Sequence, residues 1–358
     1  MPSLKEIKGR INSISSTLAI TSAMKMVAAA KLQKAQMAIQ NMLPYERRLH
    51  SMLIDLMGAM NISAAASEDG SVRGSGSAER GFDQSGDRLS LSNRHDLAGM
   101  DGAYSLMAQR EVRKVAIVAF ASNSSLCGAF NSNVIREATA VINEYRASGL
   151  GDADITVYSV GRKMAEAMKK LGFPSPADFT KMSDSPSYEA ASALAQELLD
   201  GFVSGRFDKV ELVYNHYKST SSQPTIRQTY LPLSLADATA DLQAGKIADS
   251  ASESDTNRGA ETVGAPVVRQ GSPTTEDLIV EPSKEALIAT LLPKVIRLRI
   301  FTTLLDSAAA EHAARTVAMQ LATDNGNDLL QELTLEYNKG RQQKITSEIL
   351  DLVGGSMQ

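Results

Sequence analysis

A chain of 358 residues can bury one large hydrophobic core or two modest ones, and 43% hydrophobic against 22% charged residues is the balance of a water-soluble protein. The formal net charge of −4 gives bulk electrostatics no reason to seek nucleic acid or an anionic membrane surface. A single cysteine, Cys127, excludes an intramolecular disulfide, and no apolar run approaches the ~20 residues that cross a bilayer. Residues 1–9 hold neither a signal-peptide apolar core nor an Arg/Ser-rich presequence, so membrane association is expected to come through a partner. Aromatics are sparse, Trp is absent and Met is plentiful, a profile that suits long helices.

Residues 1–62 read as one long helix. Ser3 is placed to cap it, and Glu6 completes a capping box. Apolar or small residues recur at alternating spacings of four and three through Leu4, Ile7, Ile11, Ile14, Leu18 and Thr21. After a polar step at Lys25 the stripe resumes at Ala28, Leu32, Ala35, Ile39 and Met42, and it continues past Pro44 through Leu49, Leu53, Leu56 and Met60. A stripe sustained beyond ~4 heptads predicts a coiled coil. About 55 helical residues would extend ~80 Å, far more than a small domain needs.

Residues 63–110 are rich in Gly, Ser and charge, as in SEDGSVRGSGSAERGFDQSGDR, and are expected to form a loop or disordered insert. Residues 111–236 then read as an α/β domain. The apolar run Lys114–Ser122 predicts a buried parallel strand. A helix over 131–147, a strand over 154–161, a helix over 162–171 and a helix over 188–204 follow. A strand over 209–219 and an edge strand over 225–234 complete the unit. Alternating strands and helices predict a Rossmann-like parallel sheet with helices on its faces. Residues 237–276 form a second polar insert.

Residues 277–358 return to the helical stripe. Val295, Leu298, Thr302, Leu305, Ala309, His312, Thr316, Met319 and Thr323 keep the spacing, followed by Leu330, Leu333, Tyr337, Ile345, Ile349 and Leu352. Pro293 is expected to kink this helix or mark its start. Two long helices flanking one domain can pair side by side only antiparallel, and the small residues Ala28–Ala30 and Ala308–Ala310 would let the backbones approach closely.

Residues that could carry chemistry are few. Cys127 reads as a small loop residue packed against the sheet. His50, His95, His216 and His312 show no metal-ligand spacing. No G-x-G-x-x-G follows the first strand and no G-x-x-x-x-G-K-[ST] occurs, so nucleotide binding is not expected. The residues alone leave open a coiled-coil scaffold or tether with an α/β head, or a Rossmann-type enzyme lacking its motifs.

Three blocks carry a resemblance. SLKEIKGRINSISSTLAITSAMKMVAAAKLQKAQ (3–36), SLCGAFNSNV (125–134) and VAMQLATDNGNDLLQELTLEYNKGRQQKITSEILDLVGG (317–355) are similar, in that order, to segments of F-type ATP synthase gamma subunits. EPSKEALIATLLP (281–293) matches the family's lead-in to the last helix. The resemblance implies a non-catalytic central shaft that transmits torque from a membrane c ring to a ring of alpha and beta subunits, with an epsilon subunit alongside. It implies no cofactor and no metal. The expected location is peripheral, on the cytoplasmic face of the bacterial inner membrane.

It further implies that Met24, with Arg315 on the opposing helix, passes an acidic lever loop of the beta subunit. Arg341, Gln342, Thr346 and Glu348 resemble catch positions toward the beta subunit, and residues 349–353 an apolar tip turning in a sleeve. Glu281 matches a position facing the c ring. The sequence departs from the family at Asn123-Ser124-Ser125, where many relatives carry Asp-Arg-Gly, at Gly340, where Ala is usual, and at Val280, where Tyr is frequent.

Overall fold

The computed structural model describes residues 3–59, 106, 109–233 and 284–355. Nearly all of both polar inserts, and Glu281 with them, lie outside the described residues. In chain order the elements are α1 (Leu4–Ala59), β1 (Val115–Phe120), α2 (Phe130–Ala147), β2 (Ile155–Val160), α3 (Arg162–Lys170), α4 (Thr180–Asp184), α5 (Tyr188–Val203), β3 (Lys209–Asn215), β4 (Thr225–Leu231) and α6 (Lys284–Gly355).

The strands form one sheet in the order β2-β1-β3-β4. β1 pairs parallel with β2 and β3, while β4 is antiparallel to β3. The expectation of a parallel sheet therefore holds for three strands and fails at the edge. The turn between β3 and β4 is too short for the helical crossover that a parallel neighbour requires. β1 is buried along its whole length. Its alternate residues Val115, Ile117 and Ala119 face Val134, Ala138, Val141 and Met164 of α2 and α3. Ala116, Val118 and Phe120 face the opposite layer, and two covered faces explain an unbroken apolar run.

That opposite layer is where the fold departs from an ordinary α/β domain. It contains Leu194, Leu198 and Phe202 of α5, but also Leu49, Leu53 and Leu56 of α1 and Ile288, Leu292, Val295 and Ile296 of α6. The lower ends of both long helices thus complete the core of the sheet domain, and head and shaft share one hydrophobic interior. Tyr230 on β4 adds a directional tie, its hydroxyl donating to the Ile296 carbonyl at 2.9 Å. Gly161 closes the far end of β2. Its φ is +98°, and an added Cβ would stand 2.0 Å from the Ala121 carbonyl oxygen, so only glycine fits.

Above the head, α1 and α6 pack antiparallel. Every stripe position from Leu4 to Leu56 is buried or half-buried, and so are those of α6 from Val295 to Tyr337. The register can be read from three contacts. Leu32 packs on Ala309 and Ala313, the Thr323 hydroxyl meets that of Thr21 at 3.1 Å, and Leu18 lies against Gly326. Ser3 caps α1, its hydroxyl accepting from the Glu6 N–H at 3.2 Å, while the Glu6 carboxylate pairs with Arg10 at 2.8 Å. Of Ala28–Ala30 only Ala28 is buried, whereas Ala308–Ala310 all are, because α6 there is covered by α1 on one side and by the head on another. Pro293 lies inside α6 and so does not start it. Its missing N–H is tolerated where Ile288, Leu292, Val295 and Ile296 bury the helix against the core.

A Cβ on Gly326 would stand 2.6 Å from Leu18 Cδ2, the free end of a flexible side chain. Gly326→Ala is expected to change stability by less than about 1 kcal/mol, since the gain in helix propensity offsets displacing Leu18. Gly326→Val adds a branch against the same methyl and is expected to cost about 1–3 kcal/mol. Urea denaturation of the two variants ranks them.

Candidate interaction surface

The seam ends where α1 begins. A Cβ on Gly340 would lie 3.1 Å from Leu4 Cδ2. Beyond it, among the described residues, α6 continues alone to Gly355, an overhang of about 22 Å at ~1.5 Å per residue. From Arg341 to Leu350 every residue is exposed, and so is Leu352. Arg341, Gln342, Thr346 and Glu348 all project from this unpaired helix. The Thr346 hydroxyl bonds back to the Gln342 carbonyl at 2.9 Å, and Lys344 lies 3.8 Å from Glu348. Ile345, Ile349, Leu350 and Leu352 place large apolar side chains in water on the same segment. An isolated helix with that much exposed apolar surface is suited to enclosure by another molecule.

Lower on the shaft, Met24 is half-buried on α1, beside the exposed Ile20, Met26 and Val27. The register places it in the same stretch as Arg315, between the Thr21–Thr323 and Leu32–Ala313 contacts. Arg315, however, is turned inward. Its side chain is 11% exposed, with Nη1 donating to Glu311 Oε1 at 2.6 Å and Nη2 donating to the Ser124 hydroxyl at 2.7 Å. Burial pushes the Glu311 carboxyl above its ordinary range, and the Arg315 guanidinium opposes that shift. Burial also holds the neighbouring His312 down to about 4, helped by the positive charges of Arg315 and Lys31, so this imidazole is neutral at pH 7.

Arg315 reaches the loop that follows β1, and that loop is held on all sides. Asn123 donates through Nδ2 to the Thr180 carbonyl at 2.7 Å and accepts the Arg162 N–H on Oδ1 at 2.8 Å. The Ser122 hydroxyl donates to the Ser124 carbonyl at 2.6 Å. Asn131 donates to Cys127 Sγ at 3.1 Å, and the thiol is buried against Phe130 and Ala310. Cys127 is thus a packing residue, as expected, but its neighbours lie on α2 and α6 rather than on the sheet. Asn123 and Ser124 serve as latches from this loop to α4, α3 and α6.

The loop carries one residue that pattern reading passed over. Leu126 adopts φ +67°, a left-handed conformation rare for a non-glycine side chain, and is 58% exposed. No periodicity exists in a turn to show which way such a side chain faces. Leu126→Gly relieves an αL cost of about 1–2 kcal/mol and concedes some of it to chain entropy. The variant is expected to melt slightly higher than the parent; a lower melting temperature would mean that the side chain stabilises the loop.

The crevice at the carboxyl ends of β1 and β2, where α/β sheets take ligands, is occupied by α6. Leu304, Ser307, Ala308 and Glu311 stand against Phe120, Ala121, Val160 and Ser183 there, leaving a void of about 10 Å³, no more than one water needs. Among the described residues no three His, Cys, Asp or Glu side chains converge as a metal site, and no helix is long and apolar enough to cross a membrane.

Comparison with known proteins matches this sequence to a family. The family model described as ATP synthase covers residues 3–357. The chain is 47% identical over 357 residues to the ATP synthase gamma chain of Phocaeicola vulgatus, covering 100% of both. It is 45% identical over 358 residues to that of Bacteroides thetaiotaomicron, again covering 100% of both. Among solved structures, a chain of the Euglena gracilis mitochondrial ATP synthase (OSCP/F1/c-ring, rotational state 3) shares the fold. Its TM-score is 0.52 at 18% identity, with 99% of this chain and 93% of that one covered.

Proposed function

The chain belongs to the ATP synthase gamma-chain family, and from that premise we propose how its parts serve as the non-catalytic central shaft. The observation that carries the reading is the pairing of both terminal helices into one antiparallel rod, rooted in the core of the head and ending in a bare apolar-tipped helix. A two-helix rod resists bending and twisting better than a single helix, and a shared core leaves no soft joint between head and shaft.

In this reading residues 111–236 are the head, 1–62 and 277–358 the shaft, and 63–110 and 237–276 inserts on exposed parts of the head. The overhang enters a ring of alpha and beta subunits. There the apolar tip turns against an apolar sleeve with few directional bonds to break, while Arg341, Gln342, Thr346 and Glu348 offer donors and acceptors to the beta subunit. Met24 lies on the surface that passes the beta lever loops. Arg315, its guanidinium committed to Glu311 and Ser124, supports that surface by fixing the loop that presents Leu126. Glu281 faces the c ring, with epsilon beside the head. The shaft angle then selects among beta-subunit conformations, because each angle contacts them differently. The complex sits on the cytoplasmic face of the bacterial inner membrane, and ATP chemistry stays on the beta subunits.

A tagged copy of the chain purified from cells tests the reading. It is expected to bring down alpha and beta subunits in fixed ratio, and to hydrolyse no ATP once stripped of them. Recovery without those subunits would overturn it.

A further inference from the structure

Two consecutive residues of the head reach both helices of the shaft at one height. β3 ends at Asn215, which is fixed from two sides. Its Nδ2 donates to the Phe130 carbonyl at 3.1 Å, and its Oδ1 accepts from the Thr225 hydroxyl at 2.6 Å. The following backbone is also held, with the His216 N–H donating to the Pro224 carbonyl at 2.9 Å. From this braced position His216 and Tyr217 leave the sheet for the shaft. Asp306 on α6 receives both: its Oδ2 meets His216 Nδ1 at 2.6 Å, and its Oδ1 accepts the Tyr217 N–H at 2.9 Å. Gln36 on α1 donates through Nε2 to the Tyr217 hydroxyl at 2.6 Å. The Tyr217 ring packs against the cluster of Leu32, Ala309 and Ala313 that joins the helices, and against the cluster of Cys127, Phe130 and Ala310 that joins α6 to the head.

The seam at this height is built largely of small side chains. Alanines permit close approach but interdigitate little, so they resist rotation of a helix about its own axis less than large ridges do. Hydrogen bonds are directional, and those of Tyr217 and Asp306 would be broken by a turn of either helix relative to the head.

We propose that His216 and Tyr217 are positioning residues that key the head to both helices at the neck of the rotor, so that torque enters the two strands together, with the His216–Asp306 half of the key sensitive to protonation. The proposal rests on the rotor reading above. The charged groups acting on His216 are Asp306 from α6 and Lys218 from its own turn. The hydrogen bond to Asp306 raises its pKa above 6.5, against burial and the Lys218 charge. A folded-state pKa raised in this way means the charged form is held more tightly. The key is strongest on the acid side and weakens as pH rises through the raised value.

The test uses the complete complex, immobilised through its catalytic ring and without nucleotide, with a probe on the head whose angular variance reports torsional stiffness. Tyr217→Phe, which keeps the ring and removes the hydroxyl, and Asp306→Asn are each expected to raise the variance roughly twofold at about pH 6. The unsubstituted rotor is expected to loosen between about pH 6 and pH 8, and the His216→Gln rotor to show no such change. ATP-driven rotation of the unsubstituted complex tests the rotor reading by itself, its absence counting against that reading rather than the key, and rotation retained in the variants confirms that their shafts are assembled. Rotation preserved with unchanged variance in Tyr217→Phe and Asp306→Asn, or a pH response that survives His216→Gln, would overturn the key.

Discussion

Arg315→Gln is expected to lower stability by about 3 kcal/mol at pH 7 and by less than about 1 kcal/mol at pH 5. The reason is Glu311, whose side chain is 10% exposed and whose bonded cation is Arg315 at 2.6 Å. Without the guanidinium the buried carboxylate would keep only the weaker Lys31 charge to oppose its burial, and losing the bonded partner costs about 3–5 kcal/mol for a rigidly ionised group. Protonation limits the damage. Keeping a carboxyl of ordinary pKa 4.5 neutral costs about 3.4 kcal/mol at pH 7 and about 0.7 kcal/mol at pH 5. The sign follows from burial having raised the folded-state value. Such a group favours the folded chain below its unfolded pKa, and that contribution is lost as pH rises through the folded one. Urea midpoints of the variant and the parent at the two pH values check this, and a gap of equal size at both would reject Glu311 as the cause.

Much of this architecture is legible in the residues because the long helices obey one periodicity. Each stripe position from Leu4 to Leu56 is a contact position, since a seam repeats its geometry every turn. The apolar run of β1 likewise announced a strand covered on both faces. The nature of one cover was not legible: that Leu49 and Ile288 are core partners of Val118 depends on where the rod meets the sheet, and no local spacing encodes it. The same holds for the end of the seam. Ile345 and Ile349 continue the stripe as faithfully as Leu333, yet they lie exposed because α1 has already ended. Arg315 shows the limit most clearly. The resemblance alone assigned it a partner-facing place, and no spacing encodes that its side chain is held by a buried carboxylate one turn away and a serine on a distant loop. Leu126 shows the converse, a residue whose type suggests burial held outward by a backbone angle that composition does not reveal.

Glu211→Gln is expected to cost about 2–3 kcal/mol at pH 7, with a pH signature different from that of Arg315→Gln. Glu211 is 1% exposed on β3. It accepts from Tyr145 Oη at 2.6 Å, from Arg227 Nε at 2.7 Å and from Lys209 Nζ at 2.7 Å. Burial alone would raise its carboxyl, but the hydrogen bonds from Arg227, Lys209 and Tyr145 together outweigh that and hold it below 4.5. An amide in its place turns an N–H₂ toward donors and leaves two cations without their shared anion. Because the Arg227 and Lys209 side chains are 28% and 27% exposed, and Arg227 also pairs with Glu144, water and that second partner recover part of the loss. A depressed folded-state pKa contributes stability above the unfolded value and loses it as pH falls through the folded one. The gap between the Glu211→Gln chain and its parent should therefore stay open from pH 7 down to 5 and narrow only below 4.5, where the Arg315→Gln gap has already closed. Denaturation midpoints across that range separate the two carboxylates, and an Arg-like closure above pH 5 would show that Glu211 is not the ionised centre of its cluster.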